Sequence, residues 1–159
     1  ASQWGADPRR LVVAGHSAGG HLSAMLLSAR WDQVDPHMPA HAVTQAVSLS
    51  GVFDLEPLRQ TPFLQHDLRL SPASVQRLSP VRFPPPAGAL HAWAGSLESD
   101  EFLRHNRLIQ DHWGAQCVPT CQAVPGCNHF TILDDFADPR GATHRLTRRL
   151  LMTSPRSKS

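Results

Sequence analysis

The stretch VVAGHSAGGHL, Val12 to Leu22, constrains this chain more than any other. Apolar, β-branched residues enter it and helix-forming residues leave it. Between them Ser17 is flanked by Gly15 and Gly19 in the pattern G-x-S-x-G. A strand that turns straight into a helix through a serine puts that serine on a strained bend, where side chains two residues either way would collide with the neighbouring strand and helix. The expected context is a strand over 10–14, entered from a turn at 6–8, and a helix over 19–31 with Leu22, Met25, Leu26 and Ala29 on its buried face. Ser17 is then a candidate nucleophile, with Gly15, His16 and Gly19 completing the elbow. The plain alternative is a glycine-rich turn.

Further apolar runs over 42–50, 89–94 and 121–124 read as strands. Helices are expected over 100–113, with Phe102, Ile109 and Trp113 on one face, and over 143–152. Residues 54–80, rich in Pro, Gln, Arg and Ser with interspersed leucines, read as a lid or excursion of short helices. Residues 79–88 read as a stiff polyproline-like connector. Strands alternating with helices predict an α/β fold with a mostly parallel sheet of about four strands. A chain of 159 residues holds one such domain. It is expected over 1–152, with a frayed basic tail over 153–159. The net charge of +2 gives no reason to expect a nucleic-acid partner. No apolar run approaches the ~20 residues of a membrane span.

A serine hydroxyl needs a base to take its proton and a third group to orient that base. The third strand ends in AGSLESDEF, offering Glu98 and Asp100, and the fourth is followed by PGCNHFTIL, offering His129. Both lie at strand carboxyl ends, where open α/β sheets bind ligands. One acid of the pair is expected to serve only the helix that follows, and Asp100 suits its cap. Cys117, Cys121 and Cys127, with His112 and His129 nearby, raise the question of zinc. Their spacing lacks the close pairing of structural zinc sites, so no metal and no cofactor is expected. An odd set of three cysteines fits a reducing, cytoplasmic compartment.

The segments GHSAGGHLSAMLL, SGVFDLEPLRQT, LRLSPASVQRLSP, GSLESDEFLRHNRLIQDHW and NHFTILDDF together resemble the kynurenine formamidase (arylformamidase) family of the α/β-hydrolase superfamily. More broadly they resemble hormone-sensitive-lipase-type carboxylesterases. The resemblance implies Ser17 as nucleophile, His129 as base and Glu98 as acid, with Asp100 the second choice. It implies the backbone N–H of Ala18 as an oxyanion donor. The implied reaction is hydrolysis of the N-formyl group of N-formyl-L-kynurenine in tryptophan breakdown, with a short-chain carboxylesterase or a catalytically inactive remnant as alternatives. Phe53, Phe63 and Leu64 are candidates for the substrate's aryl side. The partner is a small molecule, and the resemblance leaves room for a homodimer of the intact enzyme.

The second oxyanion donor in this superfamily comes from a loop after an earlier strand, often a His-Gly-Gly run. No such run occurs in the chain, and only the segment before Gly15 precedes the elbow. The expectation is a carboxyl-terminal half of an α/β-hydrolase, with an apolar strand edge left bare. On its own it would be poorly soluble and nearly inactive.

Overall fold

Each apolar run becomes a strand. The computed structural model describes Asp7 and residues 11–153, and its strands are β1 (Val12–His16), β2 (Gln45–Leu49), β3 (Ala89–Gly95) and β4 (Thr120–Val124). They form one sheet in the order β1-β2-β3-β4, and every pairing is parallel. Val13 lies opposite Ala46, Ala46 opposite Leu90, and Ala92 opposite Cys121. The central strands β2 and β3 are covered on both faces, which is why they read as nearly continuous apolar runs. Among the described residues β1 and β4 are the edges, with Ala14 and Gln122 exposed.

Among the described residues seven helices connect and cover the strands: α1 (Ala18–Ser28), α2 (Glu56–Arg59), α3 (Pro62–Leu68), α4 (Pro72–Leu78), α5 (Asp100–Cys117), α6 (Ile132–Ala137) and α7 (Ala142–Met152). Alternating strand residues feed the two faces. Ala46, Leu90 and Ala92 pack with Ala24 and Leu27 of α1 and Ile109 and Trp113 of α5. Val47, Leu49, Trp93 and Val124 pack on the other face with Ile132 of α6 and Leu146 of α7. A third cluster, Val52, Leu55 and Val75, sits beneath the short helices of the 54–80 segment.

The buried face of α1 differs from the expected one. Gly20, Ser23, Ala24 and Leu27 are buried, whereas Leu22 is 54% exposed. Close approach to the sheet decides this. A Cβ at Gly20 would come within 2.5 Å of Ser48 Oγ and 2.8 Å of Gly51 Cα, so only glycine fits at that contact. The helix also stops at Ser28, and residues 31–33 form a separate 3₁₀ turn. Helix α5 runs past Trp113 to Cys117 through a kink at Gly114, whose φ is +78°. Its Ile109 and Trp113 are buried as the spacing predicts, but Phe102 leans on the third cluster instead. Within the proline-rich connector, residues 80–82 make a 3₁₀ turn with Pro80 buried.

Helix α6 starts just after His129. Its Asp135 accepts hydrogen bonds from the backbone N–H groups of Ala142 (3.0 Å) and Thr143 (2.9 Å) and from the Thr143 hydroxyl, stitching α6 to the start of α7. Burial works against the Asp135 charge, but these donors outweigh it and hold its pKa below the ordinary value. The expected entry turn at 6–8, apart from Asp7, and the tail over 154–159 lie outside the described residues. No described helix is long and apolar enough to cross a membrane.

Candidate active site

All four strands point their carboxyl ends to one side, so the segments that follow them converge there. Ser17 is the single residue between β1 and α1, with φ 56° and ψ −115°. That left-handed backbone is costly for any residue with a Cβ, and such strain concentrates at functional sites. The Ser17 N–H donates to the Leu49 carbonyl at 2.8 Å, tying the bend to the end of β2. Gly15 is required: a Cβ there would lie 2.1 Å from the Gly19 carbonyl oxygen. Gly19 is not, because a Cβ there meets nothing within 4 Å. The steric argument for the elbow therefore holds on its strand side, while on the helix side the crowded glycine is Gly20. Ala18 opens α1, so its N–H is among those with no intrahelical acceptor.

Glu98 lies just beyond β3 and its side chain is fully buried. Its Oε2 accepts a hydrogen bond from Nδ1 of His129 at 2.8 Å. Its Oε1 accepts two more, from the Gly95 N–H at 2.5 Å and the Ser50 hydroxyl at 2.6 Å. Burying a carboxylate costs several kcal/mol unless it is well partnered, and three donors provide that here. Asp100 is elsewhere: it is the first residue of α5 and exposed, and the N-cap position expected for it is held by Ser99, whose side chain makes no capping hydrogen bond.

His129 sits in the loop after β4, which Asn128 organises. The Asn128 side-chain oxygen accepts from the N–H groups of Phe130 (2.9 Å) and Thr131 (3.0 Å), and the Thr131 hydroxyl accepts from the Asn128 N–H at 2.8 Å. The imidazole lies against the rings of Phe102, with centroids 4.5 Å apart, and His16, at 4.6 Å, and meets Phe130 edge-on at 5.4 Å. His16, the neighbour of Ser17, also donates from Nε2 to the His129 carbonyl at 2.6 Å. The elbow and the histidine loop are thus bound to each other directly. Gly95 lets that loop close on β3, since a Cβ there would lie 2.4 Å from the Cys127 carbonyl oxygen.

A cavity of about 720 Å³ opens beside Ser17 and Ala18. Leu55, Leu58, Leu64 and Leu68 from the 54–80 segment line it, with Phe102, Glu101 and His105 on the α5 side. Of the residues expected on the substrate's side, Leu64 lines it. Phe53 is fully buried core, and Phe63 is 74% exposed and turned away. In the α5 wall, Nδ1 of His105 accepts the Phe53 N–H at 3.1 Å, which leaves the proton on Nε2, 3.2 Å from Glu101 Oε1. Burial pushes the His105 pKa down, and the hydrogen-bonded Arg104 guanidinium holds that of Glu101 below its usual value.

The cysteines are apart from this chemistry. The thiol of Cys117 points at the carbonyls of Pro86 and Gly88, and that of Cys121 at the Asn106 carbonyl. Burial raises the Cys117 pKa to about 11. Among the described residues no three His, Cys, Asp or Glu side chains come together as a metal site.

A parallel sheet with a strained strand–serine–helix elbow, and with acid and histidine after later strands, defines an α/β-hydrolase in fold. Within that class the chain is similar to kynurenine formamidases. It is 27% identical over 151 residues to the one from Salmo salar, covering 89% of this chain and 48% of that one. It is 38% identical over 73 residues to the one from Danio rerio, covering 46% of this chain and 24% of that one. The chain thus spans less than half the length of the curated relatives it matches. Among solved structures, a protein of Silicibacter sp. TM1040 assigned as a thioesterase superposes with a TM-score of 0.71 at 25% identity, covering 85% of this chain and 49% of that one. Esterase 2 of Thermogutta terrifontis superposes at 0.57 with 22% identity, covering 92% of this chain and 54% of that one. No family model matches.

The residues that sequence reasoning left out are Ser50 and the clamping role of His16. Ser50 follows β2, has φ 53°, and is 1% exposed. Only its place at a strand's carboxyl end hinted at it.

Proposed function

We propose that this chain carries the nucleophile, base and acid of a serine hydrolase that removes the N-formyl group of N-formyl-L-kynurenine. The observation that carries the reading is the hydrogen bond from His129 to the buried Glu98 carboxylate, on a loop fastened to the residue beside the strained Ser17. The similarity to curated kynurenine formamidases supports the substrate.

With Nδ1 committed to Glu98, Nε2 of His129 is the nitrogen free to take a proton. The Ser17 hydroxyl adds to the formyl carbonyl as its proton passes to that nitrogen, and the carbonyl oxygen becomes an oxyanion facing the Ala18 N–H. Collapse breaks the C–N bond while the imidazolium returns the proton to the departing aryl amine. The serine now holds a formyl ester. Water, giving a proton to the same nitrogen, adds to that ester, and the second collapse releases formate and restores the Ser17 hydroxyl. The Glu98 carboxylate, hydrogen-bonded to Nδ1, orients the ring and stabilises the imidazolium in both halves. The aryl group would lie in the leucine-lined cavity, with no metal or cofactor involved.

One observation favours a second reading. A cavity walled mostly by aliphatic side chains also suits the acyl chain of a small carboxylic ester. The test is the ratio of kcat/KM for N-formylkynurenine to that for p-nitrophenyl butyrate in the full-length protein. The formamidase reading predicts a ratio above one, and a strong preference for butyrate would replace it with the esterase reading.

A further inference from the structure

We infer that Ser50 is a positioning residue: its strained backbone and buried hydroxyl fix the Glu98 carboxylate so that one oxygen faces His129. This rests on the assignment of Glu98 and His129 proposed above.

Two independent features single out Ser50. Its φ of 53° is one of three left-handed non-glycine conformations among the described residues, the others being Ser17 and Arg69. Arg69 only ends the exposed helix α3, where such a turn is ordinary. Ser50 is inside the protein, directly after β2, with its N–H on the Trp93 carbonyl at 2.7 Å. A serine held there against its preference calls for a compensating role, since glycine would take that φ without strain.

The second feature is where the side chain goes. The Ser50 hydroxyl donates at 2.6 Å to Glu98 Oε1, the oxygen that also takes the Gly95 N–H. Two donors on one oxygen, from the ends of two adjacent strands, fix the plane of the carboxylate. The other oxygen, Oε2, is then left to the imidazole. With the Gly95 N–H alone, the carboxylate could pivot about that single bond and His129 could turn with it. The strained φ at Ser50 swings the hydroxyl from the end of β2 towards the end of β3, where the acid stands. Ser17 and Ser50 thus use the same device at neighbouring strand ends, one for the reacting hydroxyl and one for the hydroxyl that holds the acid.

The test compares S50A, S50G and S17A in the full-length protein. The readouts are turnover of p-nitrophenyl acetate, melting temperature, and the proton resonance of the His129 Nδ1–H in the Glu98 hydrogen bond. Both Ser50 variants lack the hydroxyl, and each is expected to lose about 10- to 100-fold in kcat with KM within about twofold. Their His129 resonance should shift or broaden. Only S50G relieves the backbone, so it should melt several degrees above S50A without recovering turnover. Wild-type kcat and an unmoved resonance in S50A would overturn the inference. So would turnover that rises with melting temperature from S50A to S50G, which would mark Ser50 as a support of the fold alone. S17A separates the two levels of the argument: if it turns over like wild type, the serine-hydrolase reading fails, while the resonance still reports whether Ser50 orders the Glu98–His129 pair.

Discussion

Replacing Glu98 by glutamine tests the site at its most buried point. Glu98 Oε1 accepts from the Gly95 N–H and the Ser50 hydroxyl, while Oε2 faces Nδ1 of His129. In E98Q the amide oxygen must take the place of Oε1, because both groups there are donors. The amide NH₂ then faces Nδ1, and a donor cannot meet a donor. His129 responds by presenting a lone pair at Nδ1 and moving its proton to Nε2, so it can no longer accept the proton of Ser17. A wrong-tautomer histidine costs on the order of 10³–10⁴ in kcat, about 4–5.5 kcal/mol of barrier. The fold should barely notice, since shape and most hydrogen bonds survive. E98A, by contrast, strands the Ser50 hydroxyl and the Gly95 N–H in a buried space, at about 1–3 kcal/mol each. The assay is kcat on p-nitrophenyl acetate beside a thermal melt, with D100N as control. Asp100 is an exposed first-turn carboxylate, so D100N should keep turnover and lose at most about 1 kcal/mol of helix-dipole stabilisation. An E98Q enzyme within tenfold of wild type, or a collapse of turnover in D100N, would refute the reasoning.

H16L keeps bulk at the elbow but loses the 2.6 Å bond to the His129 carbonyl, and should lower kcat about tenfold or more with partial recovery in H16Q, read by steady-state kinetics. G15A and G19A should differ sharply in a chemical-denaturation series: G15A forces a Cβ onto the Gly19 carbonyl and should cost at least about 3 kcal/mol, whereas G19A enters open space within a helix and should be neutral or gain up to about 1 kcal/mol. His91 gives a pH signature. Burial first, and the nearby Arg149 second, lower its pKa from 6.5 to about 4. The unfolded chain therefore takes up a proton that the native state refuses, and stability falls as pH drops from about 6.5 to 4, by at most about 3 kcal/mol. Urea unfolding across that range should show the loss, and H91Q should flatten this part of it.

The elbow was legible because its chemistry and its sterics need the same few residues: an apolar run, Gly15 and a serine at a strand-to-helix junction. The central strands β2 and β3 were legible because parallel strands covered on both faces must be apolar throughout, and the shorter edge runs over 10–14 and 121–124 because Gly15 and Pro125 follow them. The pairing of Glu98 with His129 was legible because the carboxyl ends of parallel strands lie side by side, so the loops that follow them meet. The buried face of α1 was misread for a physical reason. Periodicity ranks residues by hydrophobicity, so it chose Leu22, Met25, Leu26 and Ala29, but the tight approach at Gly20 puts Ser23, Ala24 and Leu27 on the sheet. Phe53 and Phe63 were both placed at the substrate's side, although nothing in a phenylalanine distinguishes core, as for Phe53, from surface, as for Phe63. Ser50 was invisible because neither a left-handed φ at serine nor a bond spanning 48 residues leaves any mark on local composition.

The account stands on a reactive hydroxyl at the bend between β1 and α1. Treating the folded full-length protein with a fluorophosphonate and mapping the adduct by peptide mass spectrometry tests it most directly. A single adduct on the peptide carrying Ser17, absent in S17A and formed far more slowly in H129A, is the predicted result. A folded protein that stays unlabelled, or one labelled on another residue, would contradict it.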